Sequence, residues 1–224
     1  MSRPARFVAL VLTAVLAGCA AAPPPAPARS PDAEELVPAG FGTLRQENVT
    51  LTIRSGSLLI KVTPLEEWVI RLTAPDTHRR LGELSAQHRP VVEERTRTRG
   101  PRLFLVSFFA SVPDTPFHPD DLQLVNRGRT YRPLLVRGIT SGWGIQRLGS
   151  QETQTAVYAF DPGVDLRLDL GVEYGEARSG EWSRILEALE AERARVRARA
   201  ARGRAPAPRV RTPQESSPYF LILR

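Results

Sequence analysis

The 224-residue chain reads as mainly β: a single antiparallel β-sandwich followed by a C-terminal helix. Three observations predict it. Val164, Leu166, Leu168, Leu170, Val172 and Tyr174 alternate strictly with polar residues or glycine, the period of a strand with one buried and one wet face. Val49, Leu51 and Ile53, then Leu58, Ile60 and Val62, flank Ser55-Gly56-Ser57, the pattern of a hairpin. Residues 103–109 are apolar on both parities, Leu103, Leu105 and Phe109 against Phe104, Val106 and Phe108. That suits a central strand covered on both faces.

The sandwich is assigned to residues 41–178, room for one core rather than two. After the hairpin, Trp68, Ile70 and Leu72 alternate with Val69 and Arg71 and predict another strand. A short helix is expected over 75–87, with Leu81 and Leu84 facing inward. Leu122 and Leu124 begin a strand, and Asn126-Arg127-Gly128-Arg129 marks a turn before a strand over 131–139. Trp143 sits between Gly142 and Gly144 at a loop tip, where it is either an exposed recognition aromatic or, as is more common, folded back over the core. Ala156, Tyr158 and Phe160 alternate next. Seven to nine such short strands with turn signals between them argue for an antiparallel sandwich.

Residues 179–202 predict a charged amphipathic helix. Trp182, Ile185, Leu186 and Leu189 fall at helical spacing, acids crowd the start, and Arg193, Arg195, Arg197, Arg199 and Arg202 crowd the end. That polarity matches the helix dipole. The apolar stripe fades beyond Leu189 except for Val196, so the second half is expected to project as a basic rod.

The start of the chain is organised differently. Arg3 and Arg6 precede an apolar run over 7–16, which is too short to span a bilayer but has the order of a secretory signal over 1–18. Leu16-Ala17-Gly18-Cys19 closes the run and contains the only cysteine. It resembles the lipobox of bacterial lipoproteins. That resemblance implies diacylglyceryl transfer to the Cys19 thiol, cleavage before Cys19 and acylation of the new amino terminus. A protein so modified is anchored to the membrane through its acyl chains, in the cell envelope. Ala20 after the cysteine, in place of Asp, implies the outer membrane in enteric-type systems. Residues 19–40 are a Pro/Ala-rich stalk with an extended reach of roughly 60 Å. The sandwich itself is similar, in pattern only, to immunoglobulin-like domains of envelope lipoproteins.

Composition locates the charge. Of 31 basic residues only Lys61 is lysine, and the net charge is +7. Nine arginines and one glutamate put 193–224 at +8, and with Arg3 and Arg6 set aside the remaining 7–192 stands at −3. Residues 203–224 form a basic, Pro-rich tail expected to be disordered up to the apolar Tyr219, Phe220, Leu221, Ile222 and Leu223. These five are expected to add a strand to a sheet edge, of this domain or of a partner.

Chemistry-bearing motifs are sparse. His78, His88 and His118 have no metal-ligand spacing. Asp114, His118, Asp120 and Asp121 share one segment and are the candidate metal ligands, though not at EF-hand spacing. There is no nucleophile elbow and no phosphate loop. No cofactor is expected. The leading expectation is a membrane-anchored, non-catalytic binding or assembly module. Its partners are the membrane, through the lipid anchor, and an envelope protein or anionic envelope polymer. Candidate contacts are Trp143, Tyr219, Phe220, Leu221, Arg195, Arg199 and Arg202. Nucleic acid is not expected, since no stacking aromatics interleave the arginines. Two alternatives stay open: a metal-dependent carbohydrate binder or hydrolase using residues 114–121, and an accessory subunit of a secretion or transport complex.

Overall fold

A computed structural model describes residues 37–144 and 147–204. Cys19, the 1–18 leader, most of the stalk, and the tail with Tyr219, Phe220 and Leu221 lie outside the described residues. In chain order the strands are β1 (Leu51–Ser55), β2 (Leu58–Pro64), β3 (Arg102–Ala110), β4 (Thr115–Pro116), β5 (Leu122–Asn126), β6 (Arg129–Tyr131), β7 (Leu135–Gly138), β8 (Arg147–Leu148), β9 (Thr153–Phe160), β10 (Leu170–Tyr174) and β11 (Ala177–Ser179). The helices are α1 (Glu67–Ile70), α2 (Pro75–Thr96) and α3 (Trp182–Arg204).

The strands form antiparallel sheets in the orders β1-β2-β3-β9-β7 and β11-β10-β5-β6, with β4 and β8 as a separate pair. The hairpin falls where alternation places it: Leu51 opposes Val62, Ile53 opposes Ile60, and Gly56 takes φ 58° at the turn, a conformation glycine adopts without strain. Strand β3 is central, paired to β2 and β9 along its whole length.

One apolar cluster joins Leu51, Ile53, Ile60, Phe104, Phe108 and Tyr158 of the first sheet to Leu122, Leu124, Leu170 and Val172 of the second, with Trp182, Ile185 and Leu189 of α3. A smaller cluster lies on the opposite face of the five-stranded sheet. There Leu81 and Val92 of α2 pack on Leu103, Leu105, Val157 and Ala159. The fold is thus mainly antiparallel sheet with a C-terminal helix, and a second long helix lies against one sheet.

Four expectations are corrected. Residues 68–72 are not a strand: α1 and the turn after it send Val69 and Leu72 into the larger cluster and Ile70 into the smaller one. An i, i+3 pair on one face thus replaces the apparent period of two. The helix expected over 75–87 runs on to Thr96 through Pro90, because His88 and Val92 continue its buried face and outweigh the bond that Pro90 cannot donate.

Only the end of the 164–174 alternation is a strand. The Asn126 side chain donates to the carbonyls of Asp165 (3.0 Å) and Asp169 (2.8 Å) and accepts from Asp165 N–H (2.9 Å). These bonds satisfy backbone groups that a ladder would otherwise pair. Finally, the second half of α3 does not project as a rod. Glu192, Val196 and Ala200 extend the buried stripe of Trp182, Ile185 and Leu189.

Candidate functional site

The outer face of the five-stranded sheet is half covered. Under α2, Leu103, Leu105, Val157 and Ala159 are buried. Further along the same strands, cross-strand register lines up Thr52, Lys61, Ser107 and Thr155, then Arg54, Leu59, Phe109 and Thr153. Residues directly opposite on an antiparallel pair share a face, so these two rows continue the face beyond the end of α2. They are exposed or half-buried. With the turn at Gln46–Val49 as a wall, they border a cleft of about 510 Å³ lined by Gln46, Glu47, Lys61, Ser107, Phe109 and Thr153 among others.

The cleft presents three chemistries. Two of its hydroxyls are held from behind: Ser107 lies 3.0 Å from Thr155 and Thr50 2.7 Å from buried Thr63, and Thr50 Oγ1 donates to Gln46 O at 2.7 Å. Leu59 and Phe109 add half-buried apolar surface. Lys61, the only lysine, is exposed and has no ion pair among the described residues. A second groove of about 350 Å³ lies over the four-stranded sheet. Two of its charged residues are already answered, Arg127 by Asp165 and Arg178 by Glu173, each at 3.0 Å. Lys61 therefore distinguishes the first cleft, because its charge is available to a ligand.

The cleft wall is anchored by a buried carboxylate. Glu192 of α3 is fully buried and accepts from Thr43 N–H (3.0 Å), Thr43 Oγ1 (2.9 Å), Arg195 (3.3 Å) and Arg199. Burial alone would raise its pKa, but the bonds from Thr43, Arg199 and Arg195 outweigh it and hold the carboxyl below the usual glutamate range. The strap beside it passes close to the chain after α1. A Cβ on Gly42 would come within 2.3 Å of the Leu72 carbonyl carbon. Leu44 N–H donates to Leu72 O at 3.1 Å, and Ala74 N–H donates to Leu44 O at 2.8 Å. Three residues after Thr43 the chain enters the wall at Gln46.

The residues singled out from sequence are dispersed. Trp143 is half-buried, with ring centroids 6.2 Å from Phe108, 5.9 Å from Phe117 and 6.5 Å from Tyr158. It folds back over the core against Gly138, where a Cβ would lie 2.3 Å from its Cγ, the second of the two readings for this tip. Asp114 pairs with Arg147 at 2.7 Å, whereas Asp120 and Asp121 sit in the turn at Pro119–Asp121. His118 donates its backbone N–H to Tyr174 Oη (2.8 Å), and Tyr158 Oη donates to Pro119 O (2.9 Å). Burial drives both tyrosines' pKa values up. Among the described residues no group of three or more His, Cys, Asp or Glu could hold a metal ion. Arg195 and Arg199 are engaged by Glu192, and exposed Arg202 donates to Ala198 O.

The cleft residues are inconspicuous in the sequence because each is ordinary alone. The available signal was Lys61, the only lysine among thirty arginines, on the wet parity of a strand. No family model, curated protein or solved structure matches the chain.

Proposed function

We propose that the protein is a non-catalytic binding module of the bacterial cell envelope, anchored through acylated Cys19, with the open half of the five-stranded sheet as its binding face. The single observation that carries this reading is the unanswered Lys61 beside the Ser107–Thr155 hydroxyl pair and Phe109 in the cleft. A concave site with a few convergent polar groups over apolar surface is the usual form of a ligand site. An ammonium flanked by hydroxyls suits anionic oxygens on a hydroxylated chain, and Phe109 with Leu59 suits the apolar faces of sugar rings. The ligand class is an anionic envelope polysaccharide.

The same reading takes the two sheets as a sandwich of immunoglobulin-like type, supported by the inner-facing residues of both in one cluster. The anchor has its own test. Labelled palmitate should enter the wild-type protein and not a Cys19→Ser variant, which should also leave the membrane fraction. For the binding face, full-length protein in nanodiscs should bind an acidic envelope polysaccharide fraction with salt-sensitive affinity, and Lys61→Ala should weaken it at least fivefold. Equal affinity of the two proteins would overturn the assignment of the face.

A further inference from the structure

The covered half of the same sheet face contains a second basic position, at its edge. Helix α2 lays Leu81, Leu84, His88 and Val92 along one side, a spacing that puts them on one helical face. Strand β7, the last in its sheet, pairs Leu135 with Ala159 and Arg137 with Val157. Ala159 and Val157 both belong to the cluster beneath α2, so Arg137 points to the side of the sheet that α2 covers, the side His88 faces.

The two groups are left without partners. His88 is 5% exposed and its Nδ1 is buried with no hydrogen bond; Arg137 Nη1 is likewise buried and unbonded. Arg137 makes no ion pair among the described residues. The guanidinium is near enough that, after burial itself, it is the next cause lowering the His88 pKa. A buried donor on a charged group left unanswered is costly, and the cost falls here on two neighbouring groups together. Glu66, a buried acid just after β2, pairs with Arg102 (2.8 Å) and Arg89 (3.5 Å).

We propose that buried His88 of α2 and Arg137 of β7 together form an anion site that accepts a carboxylate or small oxyanion. Arg137 supplies the charge and a guanidinium donor. Neutral His88 donates from Nδ1 when its proton sits there. Access is from the sheet edge, where Arg137 is half-buried and Leu134 and Ile139, at either end of β7, are 44% and 41% exposed. A carboxylate can arrive as a free small anion or on an extended polypeptide laid beside β7, the strand-addition mode. The site is independent of the Lys61 cleft, and its test reads groups three strands away from Lys61.

The full acylated chain, labelled with 15N-histidine and held in detergent micelles, would be titrated with acetate, inorganic phosphate, chloride and a capped extended peptide containing one Glu. The proposal expects a saturable shift of the His88 imidazole nitrogens with acetate or phosphate but not chloride. Arg137→Gln should weaken it at least tenfold, and Arg137→Lys should restore part of it. Saturation by the peptide at lower concentration than acetate would identify a polypeptide source, and saturation by acetate without the peptide a free anion. No saturable shift, or the same shift in a folded Arg137→Gln protein, would overturn the proposal and leave a bridging water as the partner of both groups.

Discussion

The two halves of one sheet face follow opposite rules. Under α2, Leu103, Leu105, Val157 and Ala159 are buried. Beyond the helix the same strands present Ser107, Phe109, Thr153 and an unmatched Lys61. Backbone pairing is continuous across the boundary, so the difference lies entirely in side chains and in what covers them. The covered half carries stability, and the open half keeps surface available at little cost to the fold.

The sharpest way to break this contrast is a pair of truncations on β3. Leu105→Ala should lower stability by about 2–5 kcal/mol, as for buried leucines generally. Phe109→Ala should cost about 1 kcal/mol or less, nearer to surface substitutions. Urea midpoints at unchanged slope would measure both. Similar losses at the two positions would mean the open half is core after all.

Next in size is the clasp that sets the cleft wall. Glu192→Ala leaves Arg195 and Arg199 without their carboxylate and should cost about 3 kcal/mol. Its depressed pKa fixes the sign with pH: the stabilisation is complete above the ordinary glutamate range and is lost as pH falls through the lower folded-state value. The stability difference between wild type and Glu192→Gln should therefore shrink on acidification, which thermal melts across that range would show.

A smaller effect is expected at Gly138. An alanine methyl there collides with Trp143, so Gly138→Ala should cost about 1–3 kcal/mol by overpacking while leaving polysaccharide affinity within twofold. Loss of affinity without loss of stability would return Trp143 to a recognition role. Smallest of all on the fold is Lys61→Ala, within about 0.5 kcal/mol in stability, although its effect on binding should be the largest of the series.

What could be read from sequence follows from how local each signal is. Alternation found the hairpin and β10 because one-sided burial imposes a period of two on neighbours. It failed at residues 68–72, where five residues cannot separate a helical turn from a strand, and at 164–169, where Asn126, distant in sequence, supplies the backbone partners. The apolar parities of residues 103–109 correctly indicated a central strand. They could not show that cover stops between Leu105 and Phe109, because the end of α2 sets that limit. Glu192 looked like one more acid on a charged helix. Its burial depends on Thr43, 149 positions away. The cleft was illegible for the same reason: register assembles it from four strands, and no spacing within the chain announces it.

The open half of this face is proposed as the place where the protein meets its partner. Photo-crosslinking in intact membranes tests it most directly, with the reactive residue placed at exposed Thr153 in one variant and at exposed Arg178, on the other sheet, in a second. A discrete adduct is expected from position 153, reduced by Lys61→Ala, and none from position 178. An adduct at 178 with none at 153 would contradict it.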